Sequence, residues 1–243
     1  MKKYLKFLFL LLAMSLLTSC AIQTNVINSL SRVKKSILKI ETWVSLSDCD
    51  QTDTSCPDDQ MLSTGTGAVV VHNNKKHVLT AAHICVQKEM LIPGREVKYY
   101  FKAIDQNNKI YISNIVKHDI KSDICLLESL SGTLEPAFIP LSLKRLEYGE
   151  RVFNLAAPMG IIEQNMVPVF QGRYFGAHEN NAYFSLPAIG GSSGSPIVNS
   201  KGELVGMVHS VHYRFHHITL SATYQRLWNF LNVEKVRIIL IQN

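Results

Sequence analysis

Apolar residues in this chain come in short runs bounded by turn formers, and that punctuation constrains the fold more than any other feature. One set of runs covers Ile37–Val44, Gly67–Val71, Val78–Ala82, Val97–Phe101, Tyr111–Val116 and Ile124–Leu127, interrupted by Asn73-Asn74, Pro93-Gly94 and Asp105-Gln106-Asn107-Asn108. A second set covers Arg151–Leu155, Val167–Phe170, Tyr183–Leu186, Pro196–Val198, Leu204–Val208 and Ile218–Leu220. Runs this short, apolar throughout or alternating, read as strands, because successive side chains of a strand point to opposite faces. Residues 130–148, with Gly132, Pro136 and Pro140, connect the two sets. The one strong helical pattern is Ala222–Leu231, where Tyr224, Leu227, Trp228 and Leu231 share a face. Helical patterns do not alternate with the strands, which disfavours a parallel α/β sheet. The expectation is an all-β fold on a paired sandwich or barrel plan, in one unit or two half-domains within 243 residues.

The N-terminus reads as an export signal. Met1-Lys2-Lys3-Tyr4-Leu5-Lys6 is basic, and Phe7–Leu17 is an apolar run of 11 residues broken only by Ser15. That is short for a membrane span and suits a secretory leader. Leu17-Thr18-Ser19-Cys20 resembles the lipobox of bacterial lipoproteins. The resemblance implies cleavage after residue 19, lipid on Cys20, and a membrane-anchored exported protein. Ala21 after that cysteine resembles outer-membrane sorting in hosts that have such a membrane. Residues 20–35 are polar and mixed and read as a membrane tether reaching roughly 20–25 Å. Without the three leader lysines the net charge falls from +6 to +3, and the remaining basic residues are scattered. No band suits a nucleic-acid partner.

Four cysteines follow Cys20, and export places them where pairing is chemically permitted. Cys49 and Cys56 flank a polar stretch and read as a loop staple; Cys85 and Cys125 are then a second pair or two buried thiols. His209, His212, His216 and His217 cluster after Gly206. They read as a polar strand and loop rather than a metal site, since no rigid third or fourth ligand is evident.

Chemistry concentrates in Ser63-Thr64-Gly65-Thr66-Gly67-Ala68-Val69-Val70, Leu79-Thr80-Ala81-Ala82-His83, Asp119–Leu127 and Gly190-Gly191-Ser192-Ser193-Gly194-Ser195-Pro196. With Gly149-Glu150-Arg151-Val152, Ala157-Pro158-Met159-Gly160 and Gly202-Glu203-Leu204-Val205-Gly206, these resemble the trypsin-like (chymotrypsin-fold) serine proteases. The nearest likeness is to the HtrA-type and glutamyl-endopeptidase branches, over residues 36–232. The resemblance implies two six-stranded antiparallel β-barrels with a C-terminal helix: barrel one at about 36–130, barrel two at about 145–221 and the helix at about 222–232. It also brings the Cys85 and Cys125 segments together as a disulfide. No cofactor is implied, and the partner is a protein or peptide substrate.

In that family a serine hydroxyl becomes a nucleophile when an imidazole takes its proton and a carboxylate holds that imidazole. The matching positions are Ser193, His83 and Asp123, with Asp119 a competing carboxylate four residues before Asp123. The amides of Gly191 and Ser193 match the oxyanion donors. Gly190–Gly194 also fits the G-x-S-x-G elbow of α/β-hydrolases with Ser192 as nucleophile, but that fold needs its acid and histidine after the serine. The primary pocket matches Pro187 and Ala188 at its floor and Val208, His209, Ser210 and Val211 at its wall. No acid stands among them, which disfavours Lys or Arg at the cleaved position and suits a small or medium apolar residue; His209 leaves an acidic preference open. Ser192 replaces the aspartate that digestive relatives pair with a new N-terminus. The 11 residues after Asn232 leave no room for the PDZ domain of HtrA-type proteins. The expected activity is a lipid-anchored serine endopeptidase, with an inactive protease-like binding lipoprotein as the alternative.

Overall fold

The computed structural model describes residues 23–46, 59–86 and 97–241. The leader, Cys20, Cys49 and Cys56 lie outside them. Residues 23–34 form a helix, α1. Strands β1 (Ile37–Leu46), β2 (Gln60–His72) and β3 (Lys75–Thr80) precede a single helical turn, α2 (Ala82–Cys85). Then come β4 (Val97–Ile104), β5 (Ile110–Asp119), β6 (Ile124–Ser129) and β7 (Arg151–Leu155). A 3-10 turn at Pro158–Gly160 leads to β8 (Val169–His178), β9 (Asn181–Phe184), β10 (Pro196–Asn199), β11 (Leu204–His212) and β12 (Phe215–Ala222), and α3 (Tyr224–Ile241) closes the chain.

These strands make two closed antiparallel barrels of six, ordered β1-β2-β3-β6-β5-β4 and β10-β11-β12-β9-β8-β7. This is the chymotrypsin-like architecture, and closure leaves neither sheet with a free edge. Register in the first barrel runs Ile37↔Ala68 between β1 and β2 and Thr80↔Cys125 between β3 and β6. In the second it runs Ile197↔Asn154 between β10 and β7 and Leu220↔Tyr183 between β12 and β9.

The apolar alternation has a direct packing consequence. Ile37, Ile40, Val69, Leu79, Ile124 and Leu126 are fully buried in one cluster, each worth about 1.5–3 kcal/mol of transfer free energy. The same cluster reaches Phe153, Leu155, Leu204 and Met207 of the second barrel and Leu227, Phe230 and Leu231 of α3. A smaller cluster of Val152, Phe184, Leu186, Ile197, Val205 and Val208 fills the second barrel. The connector is pinned to both barrels: Ile139 N–H donates to Val69 O at 2.8 Å, and Leu204 N–H to Pro140 O at 2.8 Å.

Residues 23–34 differ from the flexible tether expected of them. Val26, Leu30 and Val33 recur at four- and three-residue spacing, which places them on one helical face. Val33 is 4% exposed, and Val26 and Leu30 pack against the main core. The stripe is only three residues wide amid polar neighbours, so composition hides it. The helix end is fixed on both sides, since Lys34 Nζ donates to Asn165 O and Gln106 Nε2 to Lys34 O. At the other terminus, α3 runs beyond the expected residue 232, to Ile241.

A disulfide joins Cys85 on α2 to Cys125 on β6, across 40 residues of chain. Replacing both cysteines by alanine is expected to cost about 4 kcal/mol through the freed entropy of the unfolded chain. Urea denaturation reads it as a lower midpoint, with a steeper slope because the unfolded chain expands.

Candidate active site

The site is assembled where β2 and β3 of the first barrel meet the loop before β10. Thr80, the last residue of β3, donates from Oγ1 to Thr66 O at 2.8 Å. The chain then leaves the sheet as α2, whose Ala82, Ile84 and Cys85 are buried. Ile84 O accepts from Thr42 Oγ1 at 2.7 Å. With three of its four residues committed to the core, the turn has only His83 facing outward, its side chain 46% exposed. The sequence pattern extends β3 to Ala82; the structure breaks it at Thr80, because Ala81 and Ala82 have no side-chain bulk that favours a strand over a tight turn.

Asp123 lies in the turn between β5 and β6. Asp119 Oδ1 accepts Lys121 N–H at 2.9 Å and Ser122 N–H at 3.3 Å, which curls the chain. Asp123 follows at φ 52°, a left-handed conformation that aspartate tolerates better than most residues. Its two carboxylate oxygens divide between two donors of one residue. Oδ1 accepts the His83 backbone N–H at 2.8 Å, and Oδ2 faces His83 Nδ1 at 2.7 Å. A carboxylate only accepts, so Nδ1 carries the proton and Nε2 is left as the acceptor. Burial pushes the Asp123 carboxyl up, but the hydrogen bonds from His83 and the positive fields of His83 and His209 outweigh it and hold the group below its ordinary value. Asp119 faces its own turn instead. Arg226 on α3 buttresses that turn, donating from Nη1 to Ser122 Oγ at 2.9 Å and from Nη2 to Asn180 Oδ1 at 2.5 Å.

The Ser193 loop is held by its backbone. Ser193 O accepts Thr66 N–H at 2.8 Å. Gly191 O accepts Thr66 Oγ1 at 2.7 Å, and that same hydroxyl accepts Ala157 N–H at 2.9 Å. Beyond the serine, Gly194 N–H donates to Val208 O at 2.7 Å, and Asn154 Nδ2 donates to Ser195 Oγ at 2.7 Å and Pro196 O at 3.0 Å. Gly194 has φ +87°, and a Cβ there would stand 2.1 Å from Thr66 O and 2.9 Å from Ala81 N. The loop therefore lies directly against the strand end that carries His83. Gly191, at φ +86°, is confined less tightly, a Cβ there standing 2.6 Å from Met159 N and 2.9 Å from Ala157 O. Among the described residues no hydrogen bond takes up the N–H of Gly191 or of Ser193, whereas the amides of Ser192, Gly194 and Ser195 are all used. Ser193 is half-buried. Ser192 is 1% exposed, and its hydroxyl accepts Ile189 N–H at 3.3 Å.

The pocket positions separate by depth. Ala188 and Val208 are buried in the second-barrel core, with Val211 packed against it. Pro187 and His209 are half-buried, and Ser210 is exposed. His212 stacks on Tyr213, with ring centroids 5.0 Å apart. Among the described residues, no three His, Cys, Asp or Glu side chains converge as metal ligands. Thr66 and Arg226 carry structural roles at the site that sequence reasoning did not assign. Thr66 stands inside a quoted motif, but its partners lie 91 and 125 residues away, and no local signal reveals them.

A family model described as a trypsin-like peptidase domain matches residues 65–207. No curated protein matches the sequence significantly. Among solved structures, the chain is similar to the inactive form of the Rv3671c protease of M. tuberculosis, with a TM-score of 0.61 and 16% identity, covering 85% of this chain and 92% of that one. It is also similar to a serine endoprotease from Yersinia pestis, with a TM-score of 0.62 and 18% identity, covering 87% of this chain and 66% of that one. At such identities the likeness is one of fold.

Gly194→Ala is expected to cost roughly 2–5 kcal/mol, combining left-handed strain with overlap on the β2 backbone. Gly149→Ala, at φ +79° with open space around it, carries the strain alone, about 1–2 kcal/mol. Thermal or urea unfolding of the two variants side by side checks the difference.

Proposed function

The chain belongs to the trypsin-like peptidase domain family, and from that premise we propose that it is an exported, lipid-anchored serine endopeptidase. The observation that carries the reading is the double engagement of His83 by Asp123, through the backbone N–H and Nδ1 together. That arrangement fixes the ring plane and the tautomer, so Nε2 is the basic nitrogen available to a hydroxyl. Ser193 Oγ attacks the peptide carbonyl carbon and passes its proton to His83 Nε2, while the carbonyl oxygen takes the negative charge. The amides of Gly191 and Ser193 are the donors for that oxygen, each worth about 2.7–4 kcal/mol of transition-state stabilisation. His83 returns the proton to the leaving amine. Water then repeats the sequence on the acyl-enzyme and restores the Ser193 hydroxyl.

Ser192 fits the nucleophile role poorly, being buried with its hydroxyl engaged by Ile189 N–H. The pocket residues Pro187, Ala188, Val208, His209, Ser210 and Val211 include no acid, which favours an apolar side chain at the cleaved position over Lys or Arg. Apolar fit alone discriminates by about 1–3 kcal/mol per methylene. Lipid on Cys20 would hold the enzyme at a membrane surface.

A fluorophosphonate probe followed by peptide mass spectrometry tests the chemistry. Labelling is expected at Ser193 in the wild type and is lost in Ser193→Ala. His83→Ala is expected to react at least about 10³-fold more slowly, because a triad member removed leaves only the residual catalysis of binding and the oxyanion donors. A folded wild type that does not react supports the binding-protein alternative. Metabolic labelling with palmitate, present in the full chain and absent in Cys20→Ser, checks the anchor.

A further inference from the structure

The second barrel carries an outer face that the peptidase chemistry does not use. On α1, Ile27 stands beside Val26 and Leu30 but is 57% exposed. An open groove of about 500 Å³ runs between α1 and the strands, lined by Val26, Ile27 and Leu30 on one side and by Arg151, Phe153 and Gln171 on the other. Its helical wall is set tightly on the turn before β11: a Cβ on Gly202 would stand 3.0 Å from Val33 Cγ2 and 3.2 Å from Ser29 O. Register places Arg151 of β7 directly opposite Arg173 of β8. Like charges in that relation destabilise a sheet. Among the described residues neither arginine meets a carboxylate, and Arg173 Nη1 donates to Gly149 O at 2.6 Å instead. The nearest acid in sequence, Glu150, is engaged by the Glu147 N–H at 3.0 Å. No Asp or Glu occurs in residues 23–40 or 164–178, the stretches that hold α1 and β8. Val169 and Phe175, 46% and 42% exposed, share the outward face of β8 with Gln171 and Arg173.

We propose that this face of α1, β7 and β8 lies directly on an anionic phospholipid bilayer, with Ile27 in the acyl boundary and Arg151 and Arg173 on lipid phosphates. The inference rests on the lipid-anchored reading and adds a second, non-covalent contact that orients the molecule. Two observations select a bilayer as the occupant. Gln23 lines the same groove and follows Cys20 by only three positions, so lipid on Cys20 would enter the membrane beside it. The charge is also complementary: two arginines held opposite each other repel until an anion lies against both. Exposed apolar side chains flanked by cations, with no acid among them, are what an element lying in the interface plane presents to lipid. The far end of the barrel is then directed away from the membrane. From Leu204, beside the turn that holds α1, β11 runs nine residues to His212, which places the hairpin tip at Tyr213 roughly 27 Å away.

The test is quenching of tryptophan emission by phospholipids brominated on their acyl chains. Ile27→Trp and, as control, Tyr213→Trp are made in the full chain, over the constant background of Trp43 and Trp228. Each is reconstituted into vesicles of phosphatidylcholine with and without phosphatidylglycerol. On the anionic vesicles the tryptophan at position 27 is expected to lose most of its emission, and the one at position 213 none. Adding Arg151→Gln and Arg173→Gln is expected to weaken the contact about fivefold per arginine, and only where phosphatidylglycerol is present. Equal quenching at both positions, or none at position 27 in protein that floats with the vesicles, would overturn the inference. Palmitate labelling reports separately whether the anchor exists. In a chain without lipid, quenching at position 27 alone on added anionic vesicles still supports the contact, and its absence refutes it. Dimerisation in the absence of lipid, abolished by Ile27→Arg, would assign the face to a second copy and overturn the inference as well.

Discussion

Much of the molecule depends on one buried hydroxyl. Thr66 Oγ1 donates to Gly191 O and accepts from Ala157 N–H, while the same residue's N–H donates to Ser193 O and its carbonyl accepts from Thr80. A single side chain of the first barrel, itself fully buried, thus satisfies two backbone groups of the second. Buried groups left unpaired cost about 1–3 kcal/mol each, so the two barrels dock in the one arrangement that completes this set. Barrel docking and the shape of the serine loop are therefore one event. His83 and Asp123 come from one barrel and Ser193 from the other, and the contacts of Thr66 join the Ser193 loop to the first barrel.

The electrostatics follow from the same crowding. Burial works against charge on Asp123, and two hydrogen bonds from one histidine restore it. The carboxylate is held from both ends. Its backbone takes a left-handed turn shaped by Asp119 and buttressed by Arg226, and its oxygens are fixed by α2. Because the Cys85–Cys125 bond starts two residues after each member of the pair, the cross-link restrains the elements that align them.

Strands were legible in the sequence because β-branched residues and turn formers mark them without reference to the rest of the chain. All six runs of each set correspond to strands, and the two closed barrels follow the family resemblance. The errors lie where the local signal is weak. β8 runs to His178 through Gln171, Gly172, Arg173 and Gly176, and its faces alternate between exposed and half-buried with little apolar content. The α1 stripe is three residues long and gains its meaning only from the core it covers. The candidate positions His83, Asp123 and Ser193 rest on motifs with a shared chain order, not on periodicity. The role of Thr66 could not be read that way, since it depends on neighbours far away in sequence.

The packing of α1 has a geometric corollary. Its first described residue, Gln23, follows Cys20 by three positions, and an extended chain spans at most about 3.6 Å per residue. Under the proposed anchoring, the start of α1 stays within about 11 Å of the lipid-bearing residue. A peptidase so anchored would patrol a plane rather than a volume. Its accessible substrates would be those that arrive at the bilayer surface, and their local density there, more than their bulk concentration, would set how often it encountered them.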